Sequence, residues 1–410
     1  MSAGDPARLL AGLFRKYYRE CEVYEPPRME QREFAFVYFG EEGMRRHTSF
    51  ASRRELKAHL ASKAPMHVYY SSAYYESPSA PDMGSKVWLG ADLVFDIDVD
   101  HIETPCKELH DRWRCLSCGA EGRGSTPKCP RCGSERLEKE SWICDLCISV
   151  ARDETLKLVD FLLEDFGFSK DELVIVFSGH RGFHVHVESE VVLQLGQDGR
   201  REIADYLRGF GLDHRLFFPS RKSKIAPTYN PKMGDPGWLG RVARSIYDLL
   251  ASAEVEDLVG LGISKRRAAA LLEIRDSLCS LLDGSSDRWS TASRVGGATW
   301  RRLVEYAAAR EGVHIDERVT VDLKRLIRLP NSLHGKTGLR AALLDLASLE
   351  EFDVEKYAVA LPRELVKIEV RDPPERVLGF EIGAREGIVE VPLYLAAYLL
   401  ANGRRFELLQ

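Results

Sequence analysis

Hydrophobic and polar positions follow different periods in different parts of the chain. Residues 6–20 and 52–62 carry apolar positions at helical spacing, and the aromatic segments REFAFVYF and MHVYYSSAYYE are typical of strands. In LVFDIDVD apolar and acidic residues alternate, so a strand there would bring Asp96, Asp98 and Asp100 onto one face of a sheet. The first hundred residues therefore predict an α+β domain.

Sheet structure is expected to resume beyond a cysteine-rich segment. ARDETLKLVDFLLEDFGF has the pattern of an amphipathic helix, ELVIVFSG that of a buried strand, and HRG that of a turn. FHVHVES then predicts a second strand with His184 and His186 on one face. Further along, HIDERVTVDLKRLIRLPNSLHGKTGLR favours strands and turns, and VPLYLAAYLLANGRRF predicts an amphipathic helix.

The pattern between about Tyr206 and Tyr306 is mostly helical and predicts a helical insertion. Within it, VEDLVGLGISKRRAAALLE resembles a helix-hairpin-helix, whose turn amides can hold a backbone phosphate of nucleic acid. Two packed helices with a glycine cap are the alternative interpretation. The basic loop that contains Arg221, Lys222 and Lys224 could follow the phosphates of a single strand, or it could simply be a solvated surface.

Length and composition narrow the class of protein. The chain has 410 residues and a mass of 46.3 kDa, which is too large for one ordinary core and indicates two or three domains. With 58 basic and 63 acidic residues the formal net charge is −5, so a surface for nucleic acid has to be local. No stretch offers the roughly 20 uninterrupted apolar residues of a membrane helix, and we expect a soluble, cytoplasmic protein that does not act at a membrane.

Cysteines are concentrated in one part of the chain. Seven of the nine fall between Cys106 and Cys147, which favours metal ligands over disulfides. The doublet spacing of a structural zinc ribbon is present in Cys115, Cys118, Cys129 and Cys132. A second structural zinc site is predicted from the remaining ligands, which are Cys106, His110, Cys144 and Cys147. His101 in place of His110, or an exchange of ligands between the two groups, remains open.

The acidic strand at 93–100 offers the first candidate metal site. Asp96 and Asp98 stand at positions i and i+2 of a strand, close enough to hold hard cations through oxygen, and such a pair suits two magnesium or manganese ions. Two ions of this kind clamp the attacking and leaving oxygens in phosphoryl transfer. A solvated strand face is the alternative interpretation.

The segment SGHRGFH, directly after a buried strand, is built like an anion cradle. Its glycines, Gly179 and Gly182, allow backbone amides to approach a polyphosphate. Ser178 can donate its hydroxyl, and Arg181 and His184 add donors for phosphate oxygens. An ordinary β-turn is one alternative, and a metal site formed by the two histidines of HVH is another.

A third cluster of charge lies in IDERVTVDLKRLIRLPNSLHGKTG. Mixed charge beside apolar leucine and isoleucine is costly unless something neutralises it. A bound triphosphate with its metal ions would do so, whereas a charged surface hairpin is the alternative. The residues concerned are Asp316, Asp322, Lys324, Arg325, Arg328, His334 and Lys336.

Taken together, these motifs resemble the catalytic small subunit of archaeal and eukaryotic-type DNA primases. The motifs that carry the resemblance are DID at 96–98, SGHRGFH at 178–184, and a late segment that contains Asp316, Arg328, Pro330, Ser332 and His334. The flanking segments REFAF, RHTSF, YYSSAYYESP and VPLYLAAYLL also look like archaeal members. The resemblance covers most of the chain except the helical insertion and part of the cysteine segment.

The resemblance implies roles for individual residues. The carboxylates that match the family's metal ligands are Asp96, Asp98 and Asp316. The residues that match its nucleotide contacts are Ser178, Arg181, His184, Arg328 and His334. Some members have a second arginine where this chain has His180, so the resemblance does not carry that arginine contact over to this chain. Asp322 competes with Asp316 as the third carboxylate, and Asp316 is preferred because its distance from the Pro-x-Ser-x-His segment fits the family.

The resemblance also implies an architecture and an activity. We expect an α+β, mixed α/β catalytic core with an inserted zinc-ribbon module and a helical subdomain. The expected boundaries are 1–105 for the first part of the core, 106–147 for the zinc module, 148–205 for the second part of the core, 206–306 for the helical insertion, and 307–410 for the last part. The implied activity is template-directed synthesis of primers on single-stranded DNA from nucleoside triphosphates, in a heterodimer with the primase large subunit. A primase-polymerase that extends existing ends and a non-catalytic zinc-ribbon adaptor for nucleic acid are the alternatives.

Overall fold

Helices and strands alternate along the computed structural model, which describes residues 6–218, 231–287, 292–383, 386–402 and 406–408. The fold is mixed α/β, as predicted, and the basic loop at 221–224 lies outside the described residues. The helices are α1 (Pro6–Glu20), α2 (Arg53–Lys63), α3 (Lys107–His110), α4 (Asp145–Asp160), α5 (Gln197–Leu207), α6 (His214–Phe217), α7 (Gly237–Ser252), α8 (Val255–Gly260), α9 (Lys265–Glu273), α10 (Arg275–Leu282), α11 (Gly297–Glu311), α12 (Glu317–Val321), α13 (Leu346–Glu350), α14 (Val354–Tyr357) and α15 (Leu393–Asn402). The strands are β1 (Phe34–Val37), β2 (Arg45–Thr48), β3 (His67–Ser71), β4 (Ala73–Tyr75), β5 (Trp88–Ala91), β6 (Leu93–Asp98), β7 (Arg112–Cys115), β8 (Glu121–Arg123), β9 (Leu137–Glu140), β10 (Leu173–Phe177), β11 (Gly182–Val187), β12 (Leu326–Arg328), β13 (Leu343–Leu344), β14 (Leu365–Arg371), β15 (Arg376–Val377), β16 (Phe380–Glu381), β17 (Glu386–Pro392) and β18 (Phe406–Leu408).

The chain divides into two units. The first contains every strand of the described part and comprises Met1–Leu156, Asp171–Arg200 and Asp316–Gln410. The described residues of the second form helices and turns, and this unit comprises Lys157–Lys170 and Arg201–Ile315. The helical insertion expected at 206–306 lies within the second unit.

Two four-stranded antiparallel sheets organise the first unit. One has the strand order β12-β3-β1-β2, and the other has the order β13-β10-β11-β6. In the second sheet β10 and β11 form a hairpin, and β11 pairs along its length with β6. That pairing sets His184 opposite Asp96 and Gly182 opposite Asp98, so two motifs far apart in the sequence become neighbours.

The apolar face of helix α1 is buried in the structure. Leu10, Phe14 and Tyr18 recur at helical spacing, and all three are buried. Helix α2 begins one residue later than expected because Ser52 caps it, with the Oγ atom accepting a hydrogen bond from the Glu55 amide at 3.4 Å. The two helices pack against each other.

Two expectations about the last hundred residues need correction. The segment from Glu317 to Val321 is helical rather than extended, because the Asp316 carboxylate caps it by accepting a hydrogen bond from the Arg318 amide at 3.0 Å. Helix α15 forms as predicted but is not amphipathic, since its side chains from Leu393 to Leu400 are buried. It packs on α1 and on the sheet formed by β17, β14 and β18, which enclose an apolar helix on several sides.

Candidate active site

Strand β6 presents its acidic residues to one side and its apolar residues to the other. Phe95 and Ile97 are fully buried, whereas Asp96 and Asp98 are half-buried. The partner strand lies close because residue 182 is glycine: a Cβ atom there would stand 2.1 Å from the Ile97 carbonyl oxygen. The close approach of β11 to β6 therefore depends on Gly182.

A cavity of about 200 Å³ opens at the end of this strand pair. Strand β12, from the other four-stranded sheet, forms the opposite wall. The three predicted clusters thus meet in one place. The lining residues are Tyr69, Asp96, Asp98, Ser178, His180, Gly182, His184, Arg325, Leu326, Ile327, Arg328 and His334.

Asp316 lies beside Asp96. Its backbone amide donates a hydrogen bond to the Asp96 carbonyl oxygen at 2.9 Å, and its negative charge contributes to raising the Asp96 pKa. Asp322, the alternative third carboxylate, lies at the other end of α12, where it accepts a hydrogen bond from the Lys324 amide at 2.9 Å. The structure therefore brings Asp316 to the acidic strand.

Neighbouring carboxylates act on one another's pKa in this site. Burial, then the charge of Asp98, then that of Asp316 raise the pKa of Asp96 to about 7, although Arg325 and Arg328 act in the opposite direction. Burial and the charge of Asp100 also raise the pKa of Asp98. Clustered carboxylates whose ionised forms are disfavoured in this way fit divalent cations, which prefer oxygen ligands and supply the missing positive charge.

A cation and neutral imidazoles also line this cavity. Arg328 is buried, with its guanidinium 5.1 Å from the centre of the Tyr69 ring. Burial and nearby cations lower the pKa of His180 to about 4 and that of His334 well below its usual value. His184 is likewise held neutral by burial, which lowers its pKa, and its Nδ1 atom has no hydrogen-bond partner in the described part of the chain. These groups are donors suited to phosphate oxygens.

Arg181 is placed differently from the other predicted nucleotide contacts. Its Nη1 atom lies 2.8 Å from both carboxylate oxygens of Asp111 and 3.3 Å from the Trp142 carbonyl oxygen, and Nη2 pairs with Asp100. It lines a neighbouring cavity of about 330 Å³ that also touches Asp98. Its positive charge partly offsets the rise in the pKa of Asp98, so Arg181 acts on the acidic strand without lining the first cavity.

Two groups of side chains could each hold a metal ion, with ligand atoms that lie within 4.8 Å of one another. The first is Cys115, Cys118, Cys129 and Cys132, and the second is Cys106, His110, Cys144 and Cys147. Both match the predicted grouping, with His110 rather than His101 beside the second set of thiols. Thiolates and imidazole are the ligands that structural zinc prefers.

His110 is oriented by a neighbour. Its Nε2 atom lies 3.5 Å from the Cys147 sulfur, and its Nδ1 atom lies 2.8 Å from the Asp111 carboxylate. A carboxylate that fixes the outer nitrogen of a histidine is a common feature of metal sites. Because Asp111 also binds Arg181, it links the second group of potential metal ligands with the neighbourhood of Asp98.

Sequence reasoning missed part of the site. His67 and Tyr69, on the aromatic strand β3, contact Arg328, but they were assigned only to a strand pattern. The strand period of two places residues 67, 69 and 71 on one face, but it does not identify Arg328 as their partner.

Comparison with known proteins gives a consistent result. A family model described as DNA primase small subunit matches residues 130–346, which is more than half of the 410 residues. The protein named DNA primase small subunit PriS from Methanothrix thermoacetophila is 38% identical over 413 aligned residues, which cover 96% of this chain and 97% of the relative. Proteins of the same name are 35% identical in Methanosarcina barkeri, with 97% and 95% of the two chains covered, and 33% identical in Cenarchaeum symbiosum, with 96% and 97% covered. In the described residues, no helix combines the length and the apolar character needed to cross a membrane.

Proposed function

This chain belongs to the family of DNA primase small subunits, and from that premise we propose how its catalytic site works. It is a nucleotidyltransferase that synthesises RNA primers on DNA. We assign metal binding to Asp96, Asp98 and Asp316, and triphosphate binding to residues on both sides of the cavity that Asp96 and Asp98 line.

The three carboxylates would hold two divalent cations, magnesium or manganese. When bound, such ions lower the pKa of the attacking 3′-hydroxyl and offset the negative charge that develops on the leaving pyrophosphate. The observation that carries this assignment is the 2.9 Å hydrogen bond from the Asp316 amide to the Asp96 carbonyl oxygen, which joins acids from distant parts of the chain. The raised pKa of Asp96 is consistent with it. The protein positions the reactants and contributes charge, and no covalent intermediate is required.

Contacts with the triphosphate would come from both sheets. We assign Ser178 and His184, on one side, and Arg328 and His334, on the other, to phosphate oxygens, since all four line the cavity. The unpartnered Nδ1 atom of His184 supports a ligand contact. Arg181 remains a proposed nucleotide contact, but its guanidinium would have to exchange a bond to Asp100 or Asp111 for one to phosphate.

The remaining assignments concern zinc and partners. We propose a structural zinc ion in each of the two groups of cysteine and histidine ligands. We also propose single-stranded DNA as template, nucleoside triphosphates as substrates and the primase large subunit as partner, and membership of the family supports these assignments. The domain boundaries given above and a cytoplasmic location stay predictions.

A primer-synthesis assay tests this function. Single-stranded DNA, labelled nucleoside triphosphates and manganese are supplied to the wild type and to Asp96→Ala, each with the large subunit present. We expect labelled products from the wild type and at least a roughly 100-fold loss in the variant, whose fold is checked by circular dichroism. Equal incorporation by the two proteins would overturn the assignment of the metal site. Products that appear only when a primer is supplied would instead favour a polymerase that extends existing ends.

A further inference from the structure

We propose that His67 is a positioning residue of the catalytic site, which orients Arg328 and the turn that carries His334 toward the triphosphate of the incoming nucleotide. The inference rests on the proposed function, because triphosphate binding is what gives Arg328 and His334 their task. His67 is the first residue of β3, it is 8% exposed, and it belongs to none of the motifs by which the family was identified.

The hydrogen bonds of His67 run to two donors. Its Nδ1 atom lies 2.9 Å from Nη1 of Arg328 and 3.3 Å from the backbone nitrogen of Gly335. Both partners can only donate, so Nδ1 has to accept and the ring proton has to be on Nε2. A protonated imidazole would direct an N–H group at two other donors.

The surroundings keep His67 in this neutral form. Burial, followed by the positive charges of Arg328 and Lys336, lowers the pKa of His67 to about 3. In the described structure the hydrogen-bond partners of the Arg328 guanidinium include no carboxylate: they are His67 and the more distant Tyr69 hydroxyl, at 3.5 Å. A neutral acceptor fixes the guanidinium without cancelling the charge that phosphate would bind.

His67 also sets the position of His334. The two rings meet edge to face, with centroids 5.0 Å apart, while His180 stacks on His334 with centroids 5.2 Å apart. The turn is pressed so closely onto β3 that a Cβ atom on Gly335 would lie 2.2 Å from the Met66 side chain and 2.8 Å from Nε2 of His67. One imidazole thus contacts both residues that we assign to the triphosphate on this wall.

The test compares two replacements of His67. His67→Phe keeps a flat ring but removes the acceptor, whereas His67→Asn keeps an oxygen near the place of Nδ1. A lost hydrogen bond to a charged group is expected to raise the KM for nucleoside triphosphates by about 10- to 100-fold in His67→Phe, with a smaller change in kcat. His67→Asn should stay within about threefold of the wild type, since the acceptor is retained.

A matched control is available in His59. This half-buried histidine also packs on an aromatic ring and bonds a tyrosine, with centroids 4.6 Å from Phe36 and Nε2 2.9 Å from the Tyr38 hydroxyl, but it lies outside the catalytic cavity. His59→Phe should leave KM unchanged. If His67→Phe does not fold, His67→Gln replaces it, because a glutamine amide reaches toward the place of Nε2 and should raise KM in the same way.

A double-mutant cycle separates positioning from general damage. Because His67 acts in part through Arg328, His67→Phe should raise the KM of an Arg328→Lys protein by a smaller factor than it raises the KM of the wild type, whereas independent effects would multiply. Multiplying effects, or a wild-type KM in an active His67→Phe protein, would overturn the inference while leaving the proposed function intact. Failure of the proposed function looks different, because the wild type itself would then incorporate no more than Asp96→Ala.

Discussion

Asp96 and His184 face each other across the pairing of β6 and β11, with Oδ1 of the carboxylate 3.6 Å from Nε2 of the imidazole. The histidine does not supply a positive charge there, because burial and the neighbouring His186, Arg328 and Arg325 lower its pKa well below the usual value. Burial raises the pKa of Asp96 to about 7. The negative charge of the site is therefore left for an external cation.

Removing the charge of Asp96 should stabilise the metal-free protein at alkaline pH. The folded pKa of about 7 exceeds the ordinary value of 3.8, so the folded state binds more protons between these values and loses stability as pH rises through them. Asp96→Asn is expected to raise the free energy of unfolding by about 1–3 kcal/mol at pH 8 and to change it little at pH 4. Urea unfolding of the two proteins at pH 4 and pH 8, in the presence of a chelator, measures this difference in the free energy of unfolding.

Manganese provides the control for that experiment. A metal ion that binds only the folded state stabilises that state. Manganese should therefore raise the urea concentration at which half of the wild-type protein is unfolded at pH 8. Asp96→Asn should respond much less. If Asp96→Asn lowered the free energy of unfolding equally at pH 4 and pH 8, ionisation of Asp96 would not be what costs the folded state stability.

Zinc content should follow the two groups of ligands separately. We expect two zinc ions per chain in the wild type, and one in each of the single variants Cys129→Ala and Cys147→Ala, because each removes a ligand from a different group. Asp111→Asn should weaken only the second site, by about 10- to 100-fold, because Asp111 orients His110. Metal analysis and chelator competition give both results, and loss of both ions from either cysteine variant would contradict independent sites.

Gly182 should tolerate no side chain. The Cβ atom of Gly182→Ala would collide with the Ile97 carbonyl oxygen, so we expect a loss of about 2–4 kcal/mol of stability and a displaced β6. Gly12→Ala is the matched control. Gly12 lies in α1, and beyond the helix's own backbone and its chain neighbours no described atom lies within 4 Å of the place that a Cβ would take, so alanine there should add about 0.5–1 kcal/mol. Thermal unfolding compares the two variants. Unchanged stability in Gly182→Ala would show that β6 and β11 can move apart at little cost.

Much of the site could be predicted from local pattern. Alternation in LVFDID fixes which side chains share a face, and the turn glycines mark where β10 returns as β11, so the acidic and glycine motifs were placed on the correct elements. Cysteine spacing gave both groups of potential metal ligands, since the doublets determine which thiols meet.

The rest depends on contacts between distant segments. The partners of Arg181 are Asp100 and Asp111, and only the tertiary arrangement selects them over a phosphate. Nothing in the sequence around His67 shows that it will contact Arg328, because the pairing of β3 with β12 creates that contact. The burial of helix α15 on several sides could not be predicted from its own sequence, because it depends on packing against α1 and the β17-β14-β18 sheet.

We assign Asp316, rather than Asp322, as the third catalytic carboxylate beside Asp96 and Asp98. The most direct test of this assignment is manganese-dependent primer synthesis by Asp316→Asn and Asp322→Asn, with the large subunit and equal folded protein. We predict that Asp316→Asn loses at least about 100-fold in incorporation and that Asp322→Asn stays within about threefold of the wild type. Full activity in Asp316→Asn, or its loss in Asp322→Asn alone, would contradict the account.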